Sequence, residues 1–414
     1  MVLSLDGRVG RRQLQTRHEA SFAHANGAFV VWKNWSSIEL HVCEKPIASE
    51  VVTTRSTSNR MATFGKTGVL LVNLGTPDAP TRRAVYRYLR EFLSDGRVID
   101  YPEPARSLLV GGIIAPIRSG AFNPVKLSGS TKLYDELWTE NGSPLKYFGE
   151  VVTEGVQQRL GDDFAVELAM RYQKPSIQSA LNKLRAQKVA DIIVFPLFPQ
   201  YASATTGSVH QEVMRIIMKW ENIPNVRMIN SYYDHPGMIK IFADNARRFD
   251  LDSYDHILFS YHGVPQRYLR KADDFDHCLK APNCCQTISA TNQFCYSAQC
   301  YATTRAIVAE LNLKEGRYST CFQSRLGPEK WAQPYTSSII EEQAEHGAKR
   351  LLVFSPAFVA DCLETIIEIC TEYQEEFEEM GGEKVDLVPS LNDDPRWMDV
   401  IAMLVRDEAV PVVV

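Results

Sequence analysis

The chain has 414 residues, of which 45% are apolar and 23% charged, and its formal net charge is −5. A chain of this length and apolar share can bury a sizeable core split over two domains, which excludes a disordered or fibrous protein. The acidic balance gives no electrostatic case for nucleic acid, and no run reaches the roughly 18 uninterrupted apolar residues that a bilayer-spanning helix needs.

In chain order, residues 1–64 differ from the rest, being rich in Ser, Arg, Asn and His with one isolated apolar run, AFVVW at 28–32. They are expected to form a loosely ordered extension. Asp6, Glu19, Glu39, Glu44 and Glu50 argue against an organellar transit peptide, which is poor in acids, and the start lacks the order of a secretory signal. The expected location is therefore the cytoplasm.

Beyond Met61 one unit recurs, a short apolar run rich in β-branched residues that stops at Gly, Pro or a polar loop and is followed by a helical stretch. Examples are GVLLVNLGTP (68–77), DIIVFPLFPQY (191–201), HILFSYHGVP (256–265) and RLLVFSPAFVADCLE (350–364). Runs without polar alternation suit strands buried on both faces, and segments such as SIQSALNKLRAQ suit helical crossovers. The pattern predicts an α/β fold of two similar Rossmann-like domains with parallel, doubly wound sheets, spanning 65–230 and 231–405. In such sheets ligands bind beyond the carboxyl ends of the strands. No G-x-G-x-x-G or G-x-x-x-x-G-K-[ST] follows a strand, which removes the common phosphate cradles.

Two strand ends carry chemistry. His262 closes the third run and Glu364 opens the helix after the fourth, a proton acceptor and a carboxylate on facing loops. Glu368 and Glu372 continue from Glu364 at spacing four, along one face of a helix. The same helix holds Glu375, Glu376, Glu378 and Glu379, and an apolar stripe of Leu363, Ile366, Ile367, Cys370, Tyr373 and Phe377. A plain solvated acidic face is the competing reading.

LLVNLGTP, PQYASATTGS, FSYHGVPQRY and FVADCLETIIEI, in this order and spacing over roughly residues 67–405, resemble the ferrochelatase family. The resemblance implies two Rossmann-like domains around a porphyrin cleft and insertion of Fe(II) into a porphyrin, protoporphyrin IX or coproporphyrin III, late in haem synthesis. It puts His262 and Glu364 at the catalytic pair and Glu368 and Glu372 on an acidic path for metal or protons. Arg171, Tyr172, Tyr201 and Trp331 match positions that line or flank the macrocycle. The segment RSLLVGGIIAPI (106–117) matches a lip at the cleft mouth, which either touches the inner membrane surface peripherally or is a buried helix. Two other readings stay open: a cobalt or nickel chelatase for a related tetrapyrrole, and a non-catalytic porphyrin or haem carrier, which would not need His262 and Glu364 together.

The chain departs from the family's animal members at Ser203, where those carry a cluster cysteine, and no cysteine follows LNDDPRW, so an animal-type iron–sulfur site is excluded. It has its own cysteine-rich insertion at 277–300, with spacing C-x5-CC-x9-C-x4-C, holding five of the nine cysteines. Clustered thiols in a reducing compartment favour metal over disulfides. The spacing lacks the C-x2-C knuckles usual for zinc, and a 2Fe–2S cluster tolerates irregular spacing. Cys278, Cys285, Cys295 and Cys300 are the expected ligands, with Cys284 as the alternative to Cys285. Zinc and free thiols remain open. Cys43, Cys321, Cys362 and Cys370 read as isolated buried thiols.

Overall fold

The four apolar runs form the four inner strands of two parallel sheets. The structure, a computed structural model, describes residues 65–119, 130–325 and 327–409, together with a short antiparallel pair, His24–Ala25 with Ala28–Phe29. The rest of the expected extension, Cys43 included, lies outside the described residues.

Strands β1 (Thr67–Gly75), β2 (Phe164–Tyr172), β3 (Asp191–Pro196) and β4 (Asn225–Met228) pair in the order β2-β1-β3-β4. Strands β5 (His256–His262), β6 (Tyr318–Gln323), β7 (Arg350–Phe354) and β8 (Lys384–Leu387) pair in the order β8-β7-β5-β6. Every pairing within both sheets is parallel. The two topologies are the same, with the first strand of each half lying between the second and the third.

The order in which strands are added therefore reverses between β1 and β3 in one sheet and between β5 and β7 in the other, while all strands stay parallel. Those reversals leave crevices at the carboxyl ends of the strands, where ligands settle in open α/β sheets. The loop after β3 carries Tyr201 and Ser203, the end of β5 is His262, and the loop after β7 leads to Glu364. All six residues of β3 are buried, which is why its sequence has no polar alternation.

The crossover helix Ile177–Ala186 forms as the sequence predicts, its first turn capped by Ser176, whose side chain accepts the Ser179 N–H. The core is continuous between the halves: Val69, Leu71 and Phe195 from the first sheet cluster with Ile257, Phe259 and Phe354 from the second. The last helix, Pro395–Ala409, returns from the second half to the first. Its Trp397 is fully buried, edge-on to Phe195 and 5.8 Å from the Tyr232 ring. A Cβ on Gly155 would lie 2.1 Å from the Met398 sulfur, so glycine is what lets this helix close on the helix Pro144–Leu160.

Candidate active site

His262 is the last residue of β5 and is half-buried. Its Nδ1 lies 2.7 Å from the Gly263 carbonyl oxygen, which can only accept, so Nδ1 carries a proton and Nε2 is the nitrogen left to accept one in the neutral tautomer. The His262 carbonyl accepts from the Tyr296 hydroxyl at 2.8 Å, and Phe358 lies edge-on to the ring at 6.4 Å. Trp331 packs on the next residue, since a Cβ on Gly263 would come within 3.1 Å of its ring. The Trp331 indole N–H is buried with no acceptor among the described residues.

Behind His262, Gln323 pairs with it in the β5–β6 register. The Gln323 amide is buried; its oxygen accepts from Ser260 Oγ at 2.6 Å, and its nitrogen donates to the Glu364 carbonyl at 2.9 Å and to Glu368 Oε2 at 3.0 Å. One side chain thus ties the histidine strand to the acidic helix. Sequence reasoning missed it. The only signal was its place at the end of an apolar strand in CFQSRLG, where a polar residue needs partners.

The acidic run is not one uniform α-helix. It is α over Leu363–Ile366, π over Glu368–Tyr373 and α again over Gln374–Glu379. In the π segment the Glu372 N–H donates to the Ile367 carbonyl, five residues back. A four-residue step overshoots a turn of α-helix and undershoots a turn of π-helix, so the change of type keeps Glu364, Glu368 and Glu372 in line. It also shifts the apolar stripe. Ile369 is buried and Cys370 is exposed, which corrects the expectation of a buried Cys370. Cys321 and Cys362 are buried as expected.

Glu364, half-buried, stands in the first turn after Cys362. It faces Tyr134 and Tyr88, whose phenols are pushed up by burial and further by the Glu364 charge. Glu368 accepts hydrogen bonds from Gln323 Nε2, the Ser324 N–H at 2.9 Å, Ser324 Oγ at 2.6 Å and Tyr373 OH at 3.2 Å. Glu372 is half-buried one step farther along. Among the described residues no hydrogen bond joins His262 to Glu364, and no group of three or more His, Cys, Asp or Glu side chains is arranged to hold a metal ion.

Arg171 and Tyr172 lie beneath the cleft wall. Tyr172 is fully buried and its hydroxyl donates to Asp95 Oδ2 at 2.9 Å. Arg171 donates to the same oxygen at 2.6 Å and to Ser208 Oγ, and its guanidinium stacks 4.7 Å from the Tyr172 ring. Tyr172 has no exposed surface to give a ligand. Tyr201 is half-buried, its N–H bound to Gln299 Oε1 at 2.7 Å and its ring edge-on to Phe294.

The cysteine-rich loop has no regular structure until the helix Tyr296–Leu311. Asn292, buried, organises it by donating to the Cys284 and Thr287 carbonyls, and the Cys278 N–H donates to Asp273. Cys284 lies 3.7 Å from Cys285, sulfur to sulfur, and Cys278 and Cys285 are near enough to Cys295 to act on its ionisation. Hydrogen bonding from those two thiols, helped by the Ala298 and Ser297 N–H groups at the helix start, pulls the Cys295 thiol down, while the same hydrogen-bonding partner pushes Cys278 and Cys285 up. Cys300 stands apart, fully buried beside Tyr296 and Tyr261. Cys278, Cys285 and Cys295 thus act on one another's ionisation without forming a metal-holding group among the described residues, and Cys300 is in the core.

The ferrochelatase profile matches residues 66–409. The chain belongs to the ferrochelatase family. It is 42% identical over 345 residues to a ferrochelatase of Coxiella burnetii strain CbuK_Q154, covering 82% of this chain and 93% of that one. It is 41% identical over 341 residues to a ferrochelatase of Legionella pneumophila strain Lens, covering 82% and 99%. Among solved structures, SirB from Bacillus subtilis with Fe3+ covers 83% of this chain and 96% of its own at 11% identity and a TM-score of 0.46.

In this member of the ferrochelatase family the Asp95 group braces the first crevice. Burial opposes ionisation of Asp95, but hydrogen bonds from Ser208 and the Arg97 N–H, with the Arg171 charge, outweigh it and hold the carboxyl below its ordinary range. A depressed folded value means that the pair's stability is present above the unfolded carboxyl's titration and is lost as pH falls through the folded value. Asp95→Asn should cost about 3 kcal/mol at neutral pH by stranding Arg171, a difference that shrinks below about pH 4. Urea unfolding at both pH values checks this; an equal difference at both would contradict the ion-pair account.

Proposed function

We infer that the protein inserts ferrous iron into a porphyrin, with release of two protons, in haem biosynthesis, and that His262 receives the pyrrole protons. The observation that supports the role of His262 is its Nδ1 bond to the Gly263 carbonyl, which fixes the tautomer with Nε2 as the acceptor. Free-base porphyrin hides two N–H groups in a flat ring, so the cleft has to bend the ring and supply a base titrating near neutrality. Tyr201 and Trp331, on opposite sides of the strand-end crevices, are the apolar walls that would grip it. Arg171 and Tyr172 act on the substrate only through the wall they brace.

Glu364 is the partner carboxylate of His262, and Glu368 and Glu372 continue the acidic path along which iron enters or protons leave. Glu368 is the fixed member, held by neutral donors. His262→Ala should lower metal insertion by about a hundredfold or more while porphyrin binding persists. Glu364→Gln should cost more turnover than Glu372→Gln. Anaerobic rates with Fe(II) test both; near-full turnover of His262→Ala, or equal mild losses in the two glutamine variants, would overturn these roles.

We propose that thiolates of Cys278, Cys285 and Cys295, which suit a 2Fe–2S cluster in donor type, would close around it when it binds. The fourth ligand is Cys300, which would have to leave its buried position, or Cys284. When bound, the cluster would cross-link the loop to the helix Tyr296–Leu311. Protein purified without oxygen should contain about two irons and two sulfides per chain. Ser replacement of Cys278 or Cys295 should abolish its visible absorption, and replacing Cys284 and Cys300 singly identifies the fourth ligand. One zinc per chain in a colourless, active protein would sink the cluster.

The helix Ala105–Ser119 buries Val110 and Ile114 but leaves Leu108 81% and Leu109 42% exposed. We read this lip as a peripheral membrane contact through which an apolar porphyrin arrives. Among the described residues no helix is long and apolar enough to cross a membrane. Leu108→Glu combined with Leu109→Glu should reduce co-flotation with phospholipid vesicles; unchanged flotation would remove the lip from this role.

A further inference from the structure

The far end of the cysteine-rich segment reaches the loop that carries Tyr201. Gln299, in the first turn of the helix Tyr296–Leu311, is fully buried; its amide oxygen accepts the Tyr201 N–H at 2.7 Å and its amide nitrogen donates to the Gln293 carbonyl at 2.6 Å. Phe294 lies edge-on to the Tyr201 ring, 6.4 Å between centroids. One turn farther along the same helix face, Thr303 Oγ1 accepts from Nε2 of Gln200, the neighbour of Tyr201, at 3.0 Å, with both side chains buried. We propose that Gln299 is a positioning residue, through which the order of the cysteine-rich loop sets the placement of Tyr201 and with it the affinity for porphyrin. This role rests on the reading of Tyr201 as a wall of the porphyrin cleft.

The amide is what makes the link rigid. A buried side-chain amide bonded at both ends has one acceptable orientation, because turned over it would set its NH2 against the Tyr201 N–H and its oxygen against the Gln293 carbonyl. Gln299 therefore cannot hold Tyr201 in place independently of Gln293. Gln293 lies in a stretch, 272–295, that forms no helix or strand, so its position depends on side chains. The neighbouring Asn292 supplies them: buried, it donates to the Cys284 and Thr287 carbonyls at 3.0 and 2.8 Å, and its own carbonyl accepts the Cys295 N–H at 2.9 Å.

The path Asn292–Gln293–Gln299–Tyr201 thus runs through peptide bonds and hydrogen bonds alone. No thiol is a link in it, so it operates whether or not the cysteines hold a metal. The base is served separately, since the His262 carbonyl is held by the Tyr296 hydroxyl. Loosening the path should consequently act on substrate binding and spare the chemical step.

Asn292→Ala loosens the loop without touching Tyr201, and Gln299→Met removes both polar ends of the link at similar length. Each should raise KM for protoporphyrin IX about fivefold with kcat within about twofold, and speed hydrogen exchange of the peptide around Tyr201 about tenfold. In the Gln299→Met background, Asn292→Ala should add less than about twofold to KM, the non-additivity of one coupled path. Exchange in β1 is the folding control. Should Gln299→Met fail it, Gln299→Asn takes its place, keeping an amide too short to span both partners. Unchanged exchange at Tyr201 in Asn292→Ala, independent multiplication of the two effects on KM, or an equal rise of exchange in β1 overturns the positioning role. If the wild type neither binds nor converts porphyrin, the porphyrin reading fails, and exchange at Tyr201 still decides whether the loop acts through Gln299.

Discussion

The Gln323 amide is the point on which the second half of the cleft depends. It sits where β6 ends, opposite His262, with its oxygen bound to β5 and its nitrogen bound to the acidic helix. The Gly263 N–H also donates to the Gln323 carbonyl. A buried amide with several partners has one acceptable orientation, because turning it over would set donor against donor. The spacing between the strand that ends in His262 and the acidic helix is therefore fixed by the Gln323 side chain. The first half has a counterpart in Asp95, on which Arg171, Tyr172 and Ser208 converge. Two polar hubs, one neutral and one ionic, hold the two strand-end crevices that face the substrate.

The fold was legible in the sequence where both faces of a strand are buried. β1, β3, β5 and β7 announce themselves as unbroken apolar runs because they lie inside their sheets. β2, β4 and β8 lie at or toward edges, and the exposed or half-buried positions of NVRM and KVDL left no pattern to read. His262 and Glu364 were legible for the same reason, since both follow inner strands whose ends were already known. Gln323 was not. It closes an edge strand, and its partners are far away in sequence. The π segment was equally hidden, since period-four glutamates look the same in a helix of either type, and only the exchange of Cys370 for Ile369 at the core reveals it.

The cysteine-rich segment follows a completed strand and leads into a helix that the cleft needs. Tyr296 holds the His262 carbonyl, Gln299 holds the Tyr201 N–H, and Tyr261 and Thr304 bond hydroxyl to hydroxyl in the core. The helix Tyr296–Leu311 thereby touches both crevices. Whatever the thiols hold, its effect on the cleft has to pass through the position of this helix.

Glu364, Glu368 and Glu372 set a row of negative charge along one helix, with no metal-holding cluster among the described residues. Glu368 takes its four hydrogen bonds from an amide, a hydroxyl, a backbone N–H and a phenol, so its negative charge is stabilised but not cancelled. Burial raises the phenols of Tyr88 and Tyr134 above their usual range, and the Glu364 charge adds to the rise in both. Opposite charge would draw a divalent cation toward such a field if one entered along this helix.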